Sequence, residues 1–114
     1  MSYSVHIVGR ETQAKYEAAK SPAFFENEHN LVPFDEPTLE ELVNAMELRG
    51  FVEGKADKRG RVFSHSDWGA EARLTKRALY LSASGDGIFE ITMFGSELAN
   101  EKLAKFDPQE ASWE

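Results

Sequence analysis

The chain carries three histidines and no cysteine, so thiolate catalysis, disulfides and Cys-based metal centres are excluded from the start. His65 and Asp67 stand two residues apart, which in an extended segment puts imidazole and carboxylate on one face, and Trp68 follows directly. A general base needs such a pair within reach of a substrate, and a metal needs three or four converging ligands. No second histidine stands at i+2 or i+4 from His6, His29 or His65, so no metal and no other cofactor is expected. The serines Ser64, Ser66, Ser82 and Ser84 lie in no nucleophile-elbow context. His65, Asp67 and Trp68 therefore stand as the site of a small enzyme or small-ligand binder, the alternative to the reading developed below.

Two further motifs have a chemical reading. Ser84-Gly85-Asp86-Gly87 has the composition of a phosphate-cradling loop, but such loops open onto a helix. The alternation of Phe89, Ile91 and Met93 after it predicts a strand instead, which makes the motif a hairpin turn. Lys55, Lys58, Arg59 and Arg61 cluster at one turn with Phe63 and Trp68 nearby, a mixture that can hold single-stranded nucleic acid by phosphate contact and base stacking. Against a net charge of −7, a soluble hairpin tip is the simpler account, and a nucleic-acid partner is not expected.

The acidic residues are distributed in blocks. Between positions 21 and 48 there are seven acids (Glu26, Glu28, Asp35, Glu36, Glu40, Glu41 and Glu47) and no Lys or Arg, whereas positions 49–78 hold eight bases against four acids. A surface of this kind either solvates the protein or docks a basic partner. The second reading predicts an interaction or inhibitor-type domain that binds a basic macromolecule through Glu36, Glu40 and Glu47, with Trp68 as an aromatic anchor.

Length and pattern bound the scaffold that would position these groups. The 114 residues suit a single domain spanning 1–114, and 13 aromatic residues (eight Phe, three Tyr, two Trp) suffice for one core. No segment approaches the ~20 apolar residues of a membrane span, and Met1–Arg10 lacks the order of a secretory signal. A cytoplasmic protein without membrane contact is expected, and a homo-oligomer is compatible with it.

Tyr3 to Val8 alternates as a strand, and residues 11–20 favour a short helix. Leu39, Leu42, Val43 and Met46 fall on one helical stripe after Thr38, whose spacing to Glu41 fits a capping box, and Gly50 marks the far end. Strands are expected around the Asp57–Gly60 turn, over 70–75 and over 79–83, then the strand at 89–93. A last helix from Ser96 to Lys105 and a C-terminal tail over 108–114 complete the reading. The class is α+β: a mainly antiparallel sheet of about five strands with two to three helices packed on one face.

Overall fold

The structure, a computed structural model, describes residues 2–114. Alternating β-branched residues give β1 (Ser2–Gly9), which runs into α1 (Arg10–Ala19) and two single-turn 3-10 segments, Phe24–Glu26 and Glu28–Asn30. Then come α2 (Glu36–Leu48), β2 (Val52–Glu53), β3 (Arg61–His65), β4 (Ala70–Leu74) and β5 (Leu79–Ser84). The chain closes with α3 (Gly87–Leu98), β6 (Leu103–Asp107) and β7 (Ser112–Trp113). The described residues thus form an α+β domain, with seven strands rather than about five, ordered β2-β3-β4-β5-β1-β6-β7 and antiparallel throughout. None of their helices is long and apolar enough to cross a membrane.

Strand parity divides the packing. Val5 and Ile7 of β1 and Leu79, Leu81 and Ala83 of β5 face a cluster completed by Leu42 and Met46 of α2 and by Ile91 and Phe94 of α3. The opposite parity, Val8 and Ala104, faces a smaller cluster with Phe24, Leu31 and, partly buried, Tyr16 of α1. Two helices therefore share one face, as the sequence implies, while α1 closes the other.

The predicted helix at Thr38 exists but begins earlier. Asp35, not Thr38, is the cap: its carboxylate accepts the Thr38 backbone N–H at 2.9 Å, and Pro37 sits in the first turn where no N–H is needed. Hydrogen bonds from Thr38 hold the Asp35 carboxyl below its ordinary range. Asp35→Ala is expected to lower the melting temperature, while Asp35→Asn stays near the parent because Asn caps about as well. Circular-dichroism melts of both variants check this, and equal melting of all three proteins would remove the cap from Asp35. At the other end Gly50 takes φ +98°, a conformation that disfavours any side chain, and a Cβ there would stand 2.9 Å from the ring of His65.

The C-terminal third departs from the sequence reading. Ser84-Gly85-Asp86-Gly87 is not a hairpin turn but the entry to α3, and the expected strand at Phe89, Ile91 and Met93 is helix. Phe89 and Met93 are 66% and 49% exposed, so only Ile91 of that alternation is buried. The buried residues Gly87, Ile91, Phe94 and Gly95 follow helical spacing instead. β5 and β6 both run antiparallel to β1, and so parallel to each other, which requires a crossover that α3 supplies. The helix expected over Ser96–Lys105 is replaced by the end of α3, a turn and β6. The expected tail pairs with β6 through β7, in the register Phe106↔Trp113 and Asp107↔Ser112.

Candidate functional site

A groove of about 780 Å³ lies between α2 and two neighbouring turns, within the range of about 300–1,000 Å³ usual for ligand sites. Its floor is apolar, with Leu39, Val43 and Leu74. One wall is α2, which presents Glu36, Glu40 and Asn44. At about 100° per residue Glu36, Glu40 and Glu47 fall within about 40° of one line, so the three acids form a single stripe about 16 Å long. All three are exposed. The facing wall comes from the β2–β3 tip, with Lys58, Arg59 and Arg61, and from the β4–β5 turn, with Lys76 and Arg77. The pairing of Arg61 with Leu74 sets those two turns side by side.

Several charges of the basic wall are structural. Arg61 grips Glu53 through two bonds of 2.7 Å, and this contact holds the Glu53 carboxyl below its ordinary range. Asp57 accepts the Arg59 backbone N–H at 2.8 Å and pairs with Arg73; the Arg73 contact, with that backbone bond, lowers its pKa. Arg77 donates to the carbonyl oxygens of Glu28 and Leu31 at 3.0 Å each. What remains is decisive for the groove. Among the described residues, Lys58, Arg59 and Lys76 on one side and Glu36 and Glu40 on the other have no ion-pair partner.

The structure places the remaining candidate residues elsewhere. His65 is buried, and its Nε2 lies 2.6 Å from the Arg49 carbonyl at the end of α2 while its Nδ1 accepts the Trp68 N–H at 3.2 Å. The neutral ring with its proton on Nε2 satisfies both bonds and closes the exposed carbonyl end of α2. Trp68 stacks on that ring at 4.1 Å and 6° and meets Phe51 edge-on, which locks it into the fold. Asp67 is exposed on the turn beside them. None of these three lines the groove. Of the two aromatics near Lys58 and Arg59, Phe63 is fully buried and Trp68 already stacks one face on His65.

Comparison with protein-family models, curated proteins and solved structures gives no significant match.

Sequence reasoning found the acidic stripe and the cluster at the β2–β3 tip but not their apposition. Lys76 lies far along the chain from Glu36, and no local pattern records that β3–β4 pairing brings its turn to the groove. The entry to α3 gains a helix N-terminus that the sequence reading withheld, yet Asp86 and Glu90 occupy its positive end and Tyr3 lines the hollow beside it. An anion has no cation to meet there.

The remaining titratable feature is on the α1 side of the sheet. His6 is boxed by Phe25 at 4.9 Å and Tyr80 at 4.8 Å, and its buried Nδ1 has no hydrogen-bond partner among the described residues. Burial lowers its pKa from 6.5 to about 4, against a smaller opposite pull from the Asp107 charge. The unfolded chain thus takes up a proton between pH 6.5 and 4 that the folded chain refuses. Stability is full above about pH 6.5 and falls as pH drops through that window, by at most about 3.5 kcal/mol, since a tenfold change in proton affinity is worth about 1.4 kcal/mol. Melting curves across this range should show the slope in the parent and a flatter profile in His6→Leu. Identical profiles would show that His6 is solvated.

Proposed function

We propose that this domain is a cytoplasmic protein-binding module whose α2 stripe, Glu36, Glu40 and Glu47, engages a basic surface of a macromolecular partner. The observation that carries the reading is that, among the described residues, Glu36 and Glu40 stand unpaired on the rim of an open, apolar-floored groove, with Glu47 continuing their stripe along α2. Charges left without partners on a rigid helix are free to pair with a complementary surface, and they steer encounter as well as register. Binding is favoured over catalysis because both ring nitrogens of His65 are engaged by the backbone and His6 is enclosed by aromatic rings.

Reversing Glu40 and Glu47 to Lys is expected to change stability by no more than about 0.5 kcal/mol, as for other exposed positions. The same change should abolish capture of the partner. The complex formed by the parent should weaken as salt rises, because the Debye length falls from about 10 Å at 0.1 M to about 3 Å at 1 M. Pull-downs with both proteins at both salt concentrations read the result. A partner retained equally in all four samples would overturn the proposal.

A further inference from the structure

The acidic-stripe reading uses only one wall of the groove. Among the described residues, Lys58, Arg59 and Lys76 on the facing wall are exposed and free of ion pairs, and none of them pairs with Glu36 or Glu40. The fold thus holds unpaired cations and unpaired acids apart across an apolar floor, with Asp57 of the basic wall neutralised by Arg73 and Glu28 lying at the Arg77 end. A wholly basic segment entering this groove would be drawn to α2 and repelled by the tip of the β2–β3 hairpin. A wholly acidic one would meet the reverse. Only an occupant that carries both signs, on opposite sides of itself, satisfies both walls.

We infer that the groove recognises an extended polypeptide segment in which Lys or Arg alternates with Asp or Glu, its cations against Glu36 and Glu40 and its anions against Lys58, Arg59 and Lys76. Successive side chains of an extended chain point to opposite sides, so alternation in sequence becomes separation of charge in space. Glu36 and Glu40 stand about 6 Å apart along α2, close to the roughly 6.6 Å between same-side residues of an extended chain. The aliphatic stems of the segment's Lys or Arg residues cover Leu39 and Val43 while their heads reach the carboxylates. Like charge on the wrong wall excludes purely basic and purely acidic chains, so the second wall confers selectivity that the first alone lacks.

This inference rests on the acidic-stripe reading, and its test separates the two. A display library of short linear peptides, panned on the intact chain at about 0.1 M salt, supplies the probes. Charge-alternating peptides should be enriched, and binding should fall about tenfold or more on Glu36→Lys/Glu40→Lys and equally on Lys58→Glu/Arg59→Glu/Lys76→Glu. Combining both sets of changes swaps the walls, and the same peptides should bind again by shifting one residue in register. The neutral set Lys58→Gln/Arg59→Gln/Lys76→Gln, with melting curves for all variants, separates lost binding from lost fold. Enrichment of purely basic peptides that bind the reversed basic wall more tightly would overturn this inference and leave the acidic stripe standing. No enrichment, or peptides indifferent to both walls, would overturn this inference, while the pull-downs at two salt concentrations decide the acidic stripe separately.

Discussion

Gly87→Ala is expected to lower the unfolding free energy by about 3 kcal/mol, the upper end of the usual cost of overpacking. Helix propensity alone gives the opposite sign, since alanine is better than glycine inside a helix by about 1 kcal/mol. Space decides the matter. Gly87 opens α3 directly against the β3–β4 turn, and a Cβ there would lie 1.9 Å from the Trp68 carbonyl oxygen and 3.1 Å from the Ala83 side chain. The obstacle is backbone and cannot rotate aside. That turn is also tied down, because the Trp68 N–H is held by His65 and the Trp68 ring is stacked on the same imidazole. Relief must come from displacing α3, which would open the packing of Ile91 and Phe94 against the sheet. Chemical denaturation of Gly87→Ala beside Asp86→Ala, an exposed neighbour, gives the comparison. Parental stability in Gly87→Ala would show that α3 does not approach the turn this closely.

The same glycine explains why the sequence misleads here. Residues 87–98 present small buried positions at Gly87 and Gly95, which a search for apolar side chains passes over, while exposed Phe89 and Met93 mimic a strand around Ile91. β6 is misread for a related reason. It lies between β1 and β7 with both faces covered, so all five residues from Leu103 to Asp107 are buried and no alternation is left to see. By contrast α2 and the β3–β4–β5 meander each bury one side only, and their periodicities are legible in the amino-acid sequence. The groove was half legible. Its acids follow one helical stripe, but the facing cations come from two turns joined by strand register, which is a property of the assembled sheet.

Residues 108–114 should prove as important to stability as a core side chain. Ending the chain after Asp107 is expected to cost about 4 kcal/mol, with three losses contributing. Trp113 packs on Phe106 at 4.7 Å and on Tyr16 at 5.3 Å, and uncovering such a surface costs about 1.5–3 kcal/mol. The Lys105 ammonium, whose side chain is only 7% exposed, loses the Glu114 carboxylate at 2.9 Å and keeps Ser96 at 3.0 Å as its one polar contact. Water admitted at the new edge offsets part of that loss, so it adds less than a fully buried charge would. Asp107, also buried, keeps Tyr3 but loses the Gln109 side chain and the backbone N–H groups of Gln109 and Glu110. Burial would raise the pKa of that carboxyl, yet these four donors together hold it below its ordinary value, while one of them, Tyr3, is itself pushed up to about 12 chiefly by its bond to Asp107. Single changes should divide the effect, with Trp113→Ala costing about 2 kcal/mol and Glu114→Gln less than about 1 kcal/mol because Glu114 is half exposed. Truncation also leaves β6 as an uncovered edge, so the shortened chain should associate at concentrations where the parent does not. Urea unfolding and sedimentation of the truncated chain measure both consequences, and a parental midpoint would mean that β7 contributes nothing to the sheet.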